Sequence, residues 1–150
     1  MLAHLEDGFD LLIAHPPCTH LAVSGARWFH LKQAEQIQAL AFIRKLLDAP
    51  IPHIALENPV SIISTRIRKP TQVIQPWQFG HPEFKATCLW LKNLPPLRPT
   101  CVLTPPARGT AEYKAWSKVH MAPPGPNRWM IRSRTYQGIA DAMAGQWGTL

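Results

Sequence analysis

The sequence contains few acidic residues, few cysteines and no long apolar run. Nine Asp and Glu stand against 16 Lys and Arg in 150 residues, which gives a formal net charge of +7. An excess of this size favours a polyanionic partner, with nucleic acid as the first expectation. No run of 18 apolar residues occurs, so the sequence predicts neither a membrane-spanning helix nor a membrane partner.

The cysteines and histidines also fail to form a recognisable structural pattern. Three cysteines at positions 18, 88 and 101 are too few and too widely spaced for a disulfide framework. The first ten residues lack the basic and apolar pattern of a signal peptide, and we infer a reducing, cytoplasmic location. His15, Cys18 and His20 cluster, but Cys-x-x-Cys, His-x-x-x-His and the zinc-deaminase signature are all missing, so no metal is predicted.

What the sequence does contain is typical of a globular α/β chain. Apolar residues make up 46% and charged residues 17%, which indicates a packed core. Sixteen prolines and eight glycines predict many loops. We expect one domain over residues 1–150, with a core at 1–93, a proline-rich loop region at 94–128 and a C-terminal helix at 129–150.

The prediction of the fold and the site starts from residues 10–20. Leu11–Ala14 is a short apolar run that two prolines close, as expected for a buried parallel strand that ends in a loop. Cys18 then lies just past the carboxyl end of a core strand, where open α/β sheets bind their ligands. Beside His15 and His20 it is a candidate nucleophile, although a small apolar cysteine that caps the core explains the stretch equally well.

A second stretch repeats the same pattern and makes the catalytic interpretation more attractive. The apolar residues 54–56 are followed by Glu57, Asn58 and Pro59, and the intervening chain is long enough for one crossover helix. A parallel strand–helix–strand unit would bring Cys18 and Glu57 to one sheet edge. A thiolate and a carboxyl group in one cleft suit addition to a pyrimidine: sulfur attacks C6, the carboxyl group binds N3, and C5 becomes a carbon nucleophile.

Three motifs in this order resemble those of the DNA cytosine-5 methyltransferases, in particular small phage-type members. The Pro-Pro-Cys motif of that family matches residues 16–18, and its Glu-Asn-Val motif matches Glu57 and Asn58, with Pro59 in place of Val. Its motif aromatic-Gly-x-Pro-Gln-x-Arg-x-Arg is similar to residues 79–87, where Glu83, Lys85 and Thr87 replace Gln and the two arginines.

The resemblance implies roles for several residues. Cys18 would attack C6 of a flipped DNA cytosine, and Glu57 and Asn58 would complete the catalytic site. Lys85 would replace the arginine that lies near the base. Pro16 would position the loop and is the candidate contact with the cofactor, S-adenosylmethionine. The Gly-rich cofactor loop has no counterpart, since no Gly-x-Gly occurs, so the chain resembles a member without its first third.

The implied fold is a truncated Rossmann-like methyltransferase core, a mostly parallel sheet with an antiparallel edge strand. Helical spacing of Ile37, Leu40, Ile43 and Leu47 predicts a helix over residues 31–48. Strands are predicted at residues 53–56, 71–75 and 87–91, the last antiparallel by resemblance, and a final helix at 135–147. Because such a core lacks its first strands, we expect an exposed sheet edge and either a homodimer or a separate N-terminal half as partner.

Basic side chains along the chain are candidates for phosphate contacts. They occur after the cysteine, after the second strand and in the C-terminal half: Arg27, Arg66, Arg68, Lys114, Arg132 and Arg134. Two other functions remain open beside the methyltransferase. One is a non-catalytic relative that binds DNA or a protein partner, which the missing cofactor half favours. The other is an enzyme that acts at C5 of free pyrimidine nucleotides, to which Pro17-Cys18-Thr19-His20 is a near match.

Overall fold

The computed structural model describes residues 2–122, 125 and 128–149. The strands are β1 (Leu11–Ala14), β2 (His53–Pro59), β3 (Gln72–Ile74) and β4 (Thr87–Lys92). The α-helices are α1 (Gln33–Leu47), α2 (Ile63–Arg66), α3 (Ala111–Trp116), α4 (Lys118–Met121), α5 (Arg128–Ser133) and α6 (Gln137–Trp147). Segments Leu2–His4, Val23–Leu31 and Pro76–Gln78 form 3₁₀ helices. No helix among the described residues is both long and apolar enough to cross a membrane.

The chain folds into two compact units. The first unit comprises the residues up to Val73 together with Thr87–Pro96. The second comprises Ile74–Ala86 and the residues from Leu97 onward. The strands are concentrated in the first unit, and α3 to α6 belong to the second. The sequence-based expectation of one domain stays a prediction.

The strands form one open sheet with the order β1-β2-β4-β3. β1 and β2 are parallel, and Leu11 pairs with His53 and Ala14 with Leu56. β2 and β4 are antiparallel, from Ile54 opposite Lys92 to Pro59 opposite Thr87. The predicted α/β class, with a mixed open sheet, is therefore confirmed.

The position of β4 differs from the prediction. The strand is antiparallel to β2, as expected, but it lies between β2 and β3 and is not an edge strand. Its residues from Thr87 to Leu91 are all buried. A strand that is apolar at successive positions buries both of its faces, and this suits the interior of a sheet better than its edge. The edges are β1 and β3.

Helix α1 connects the parallel strands β1 and β2 and packs on one face of the sheet. Its buried side chains are Ile43, Leu46 and Leu47, and they join Leu56 and Trp90 in one apolar cluster. Ile37 was predicted on the same face but is 69% exposed. Packing of α1 is thus concentrated in its last two turns. The strand–helix–strand unit that the sequence predicts is present, with α1 ending one residue earlier than expected.

The second unit is largely helical. Its buried side chains come from α3, α4, α6 and the chain around β3, and include Ile74, Phe79, Trp116, Val119, Ile139, Met143 and Trp147. The region 94–128, predicted as loop, contains α3 and α4. The C-terminal helix predicted over 129–150 is instead two helices, α5 and α6, with a break at residues 134–136. Parts of these two predictions fall on Pro123, Pro124, Pro126, Asn127 and Leu150, outside the described residues.

Candidate active site

The carboxyl ends of the parallel strands β1 and β2 lie side by side. We call this end of the two strands the carboxyl edge of the sheet, as distinct from its outer strands. Since Ala14 is opposite Leu56, the parallel register places the next residues, His15 and Glu57, side by side. Their side chains form a hydrogen bond of 2.9 Å between His15 Nδ1 and Glu57 Oε2. The side chain of His15 is 43% exposed and that of Glu57 is 20% exposed, so the pair faces solvent at the mouth of this edge.

The neighbouring residues Pro16 and Asn58 form a buried contact. Asn58 is 1% exposed, and its Nδ2 donates a hydrogen bond of 3.0 Å to the carbonyl oxygen of Pro16. Because alternate strand residues point to opposite faces, Asn58 lies on the α1 face with Leu56, and Glu57 lies on the other face. The amide thereby fixes the start of the loop that carries Cys18. Asn58, which the sequence analysis named as part of the catalytic site, therefore holds the Cys18 loop in place.

The loop after Pro17 turns back on itself at Cys18. The carbonyl oxygen of Cys18 accepts hydrogen bonds from the amides of Leu21 and Ala22, at 3.0 and 2.9 Å. The loop is also joined to the chain that follows β2, since Ala22 and Ser61 form a bridge and the Ile62 amide donates to Leu21. Cys18 is partly buried in this position. The loops after the two parallel strands therefore form one continuous structure.

Near these two loops, several buried polar atoms have no hydrogen-bond partner within the part of the chain that the structure describes. They are His20 Nδ1, Asn58 Oδ1 and Ser61 Oγ. Buried polar atoms of folded proteins are paired in the great majority of cases, so each unpaired atom calls for an explanation such as strain, a bound water or a functional role. These three atoms lie beneath the two loops, in the interior next to the Asn58–Pro16 contact.

The charge of Glu57 also affects a second cysteine. Cys88 lies on β4 opposite Asn58 and is buried. Burial raises the pKa of the Cys88 thiol above its ordinary value, and the negative charge of Glu57 raises it further. Cys88 is thereby held as the neutral thiol. Its sulfur is not a competing nucleophile at this edge.

Lys85 belongs to the second unit, as do the other residues of the third motif up to Ala86. Lys85 Nζ donates to the carbonyl oxygen of Arg134 at 2.9 Å and lies 5.4 Å from the centre of the Tyr136 ring. In the same motif His81 Nε2 accepts from the Gly138 amide at 2.9 Å. Tyr136 donates to Glu83 at 2.6 Å, and burial followed by this hydrogen bond raises the pKa of Tyr136. Residues 79–87 thus hold the start of α6.

The predicted phosphate contacts are distributed over both units. Arg27 lies in the 3₁₀ helix Val23–Leu31, with its guanidinium 5.1 Å from the Trp28 ring, and Arg66 is exposed at the end of α2. The Arg68 guanidinium donates to the carbonyl oxygen of Leu91 at 3.2 Å, towards the amino ends of β1 and β2. In the second unit Lys114 and Arg134 are exposed, and Arg132 is partly buried in α5.

Two residues at the site were not predicted as part of it. The sequence indicated His15 only as a neighbour of Cys18 and gave no indication of Ser61. The signal for His15 was available, because a parallel register between the two apolar runs places it beside Glu57. Ser61 becomes visible only when the two loops are seen to join.

Comparisons with known proteins identify no relative from which the role of the site could be inferred. No family model matches the chain, and no curated protein or solved structure is significantly similar to it. Among the described residues no group of three or more His, Cys, Asp or Glu is arranged to hold a metal ion.

Proposed function

We propose that this chain is a cytosine-5 methyltransferase-like protein, in which Cys18 adds to C6 of a cytosine in DNA. The observation that carries the proposal is the meeting of the Pro-Pro-Cys loop and the Glu57-Asn58 pair at one sheet edge, held by the bond from Asn58 to Pro16. Spacing in the sequence suggested this arrangement, and the parallel register of β1 and β2 supports it.

The chemistry follows from the two functional groups. The Cys18 thiolate forms a bond to C6 as the C5–C6 double bond opens, and the electron pair moves to C5. Glu57, through N3 and the exocyclic amine, stabilises the ring as this charge develops. C5 then takes a proton from solvent. Loss of a proton from C5 and of sulfur from C6 restores the cytosine, so the net result is hydrogen exchange at C5.

We infer that the described residues do not provide a complete site for S-adenosylmethionine. β1 is an edge strand, and the carbonyl oxygen of Pro16, the candidate contact, is already bonded to Asn58. No Gly-x-Gly sequence is present to approach a cofactor closely. The steps proposed for this chain are therefore addition at C6 and exchange at C5, which its own residues can perform.

Hydrogen exchange tests the proposal without a cofactor. A cytosine-containing oligonucleotide is incubated with the protein in heavy water, and deuterium at C5 is measured by mass spectrometry. Exchange is expected with the wild type and is expected to be lost in Cys18→Ser. Glu57→Gln should lower the rate by about 10²- to 10⁴-fold, as removal of a positioned acid–base group does. Cys101→Ser, which removes the exposed cysteine of the second unit, is the control and should exchange normally.

The substrate distinguishes the proposal from its alternatives. Exchange in an oligonucleotide but not in deoxycytidine monophosphate supports action on DNA. Exchange in the free nucleotide alone supports an enzyme of pyrimidine nucleotides. If the wild type binds the oligonucleotide but exchanges no faster than Cys18→Ser, the chain is a binding protein and the enzymatic proposal is wrong.

A further inference from the structure

A basic cavity of about 470 Å³ lies near the amino end of β2, whereas Cys18 lies near the carboxyl ends of β1 and β2. Lys92 pairs with Ile54 at the amino end of β2, and Asn58 lies four residues further along that strand. Four residues of extended chain span about 13 Å, so the cavity and the candidate active site are separate. The lining residues all belong to the first unit: Arg44, Leu47, Asp48, Ile67, Arg68, Leu91, Lys92 and Asn93.

Three cationic side chains of this cavity are each fixed by a backbone carbonyl. Arg44 donates to the carbonyl oxygen of Arg66 at 2.9 Å, and Arg68 donates to that of Leu91 at 3.2 Å. Lys92 Nζ donates to the carbonyl oxygen of Ala49 at 3.0 Å. A guanidinium has five N–H donors and an ammonium three, so each group keeps donors for a ligand. Because these side chains are already held in place, a ligand that binds them loses less side-chain conformational entropy.

Among the described residues that line the cavity, cations outnumber acids. Asp48 is the one acid among the lining residues. The ion pairs from His4 to Asp7 and from His15 to Glu57 lie away from the cavity lining. Three positive charges beside one negative charge leave an excess that attracts an anion. Arginine and lysine together are the side chains with which proteins bind phosphate.

We propose that this cavity binds a phosphate group carried by a nucleotide or by the backbone of a nucleic acid. Arg44, Arg68 and Lys92 contact the phosphate oxygens. Leu47, Ile67 and Leu91 form an apolar wall on which a sugar or base can lie, as ligand cavities commonly combine apolar walls with a few polar groups. The site does not depend on the chemistry proposed for Cys18.

Titration of the wild-type protein by ¹⁵N NMR locates the binding without any substitution. Orthophosphate, a nucleoside 5′-monophosphate and a short oligonucleotide without a terminal phosphate are the three probes. The amides of Asp48, Lys92 and Asn93 should shift in a saturable manner. Saturation by the first two probes alone assigns the cavity to a terminal phosphate, and saturation by the oligonucleotide assigns it to a backbone phosphate. Shifts that are absent here, or spread over the surface without saturation, overturn the proposal.

A matched pair of variants tests the role of the cations. Arg44→Gln and Lys45→Gln remove the same charge from adjacent exposed positions of α1, but only Arg44 lines the cavity. The double variant Arg44→Gln, Arg68→Gln should weaken phosphate binding at least tenfold, and Lys45→Gln less than twofold. Thermal unfolding of each variant confirms that it folds. Equal losses for Arg44→Gln and Lys45→Gln would mean that only net charge matters, and the proposed site would be wrong.

Discussion

Glu57 and Asn58 are adjacent, yet they serve the site in different ways. Strand alternation sends Glu57 to the face it shares with His15 and sends Asn58 to the face covered by α1. Asn58 therefore acts inside the protein, where it fixes the loop, whereas Glu57 stays at the solvent-accessible mouth. In the proposed mechanism, this two-residue motif provides both a reacting group and the support for its partner loop.

Substitution of Asn58 tests the supporting role. Asn58→Ala leaves the carbonyl oxygen of Pro16 without its buried donor, and an unsatisfied buried group costs about 1–3 kcal/mol. We expect the free energy of unfolding, measured in urea, to fall by that amount. Gln38→Ala, on the exposed side of α1, is the control and should change it little. Unchanged stability in Asn58→Ala would show that the contact does not hold the loop.

The cysteines should differ in their reactivity towards iodoacetamide. The pKa of Cys88 is raised by burial and by Glu57, so this thiol stays protonated to a higher pH than an ordinary cysteine. Only the thiolate reacts. At neutral pH we expect Cys18 to be modified fastest and Cys88 slowest, with the Cys88 rate still increasing at alkaline pH. Peptide mass spectrometry measures all three rates in one sample, and a Cys18 rate below that of Cys88 would refute the order.

At the scale of elements, the sequence was sufficient where local signals are strong. The apolar run closed by Pro16 and Pro17 gave β1 its bounds, and helical spacing gave α1. The order of the strands was not predictable in the same way. It depends on pairing between residues far apart in the chain, and only the burial of β4 on both faces hinted at an interior position.

Short helices were the main elements that were not predicted from the sequence. The prolines of region 94–128 suggested a loop, but Thr110 caps α3 by accepting a hydrogen bond from the Tyr113 amide at 3.1 Å. A threonine at the N-cap, followed by Glu112 in the first turn, was a readable signal that the prolines obscured. At the candidate site, Cys18, Glu57 and Asn58 could be predicted to lie at one sheet edge because their motifs occur in a characteristic order and spacing. The His15–Glu57 pair required the strand register.

Two glycines of α6 provide a test of how the third motif packs. A Cβ at Gly138 would collide with the carbonyl oxygen of Phe79, whereas a Cβ at Gly145 meets nothing within 4 Å. Gly138→Ala should destabilise the protein by about 1–3 kcal/mol, as overpacking does. Gly145→Ala should stabilise it by up to about 1 kcal/mol, because alanine is the better helix former. Thermal unfolding compares the two, and equal effects would contradict the packing described for residues 79–87.

At the scale of the whole molecule, the net charge of +7 would attract a nucleic-acid partner. Counterion release lowers affinity for DNA by about 0.9 log units per phosphate contacted and per tenfold rise in salt. We therefore expect at least a roughly tenfold loss of affinity between about 50 and 200 mM salt, which corresponds to two or more phosphate contacts. Fluorescence anisotropy with a labelled oligonucleotide measures this slope.

The same titration separates specific contacts from general charge. Lys114→Gln, a substitution of a predicted phosphate contact, should reduce the slope by about one contact. Lys45→Gln removes an equal charge at a position with no predicted contact and should leave the slope unchanged. An affinity that does not respond to salt would contradict phosphate binding altogether.

The proposed reaction requires a bond between Cys18 sulfur and C6 of a pyrimidine, and covalent trapping measures that bond directly. A DNA oligonucleotide that carries pyrimidin-2-one in place of one cytosine lacks the exocyclic amine and is more electrophilic at C6. Intact-mass and peptide mass spectrometry should show one oligonucleotide attached to the protein at Cys18. The adduct should persist in Cys101→Ser and be lost in Cys18→Ser. An adduct at Cys101 instead, or none in the wild type, would contradict the proposed nucleophile.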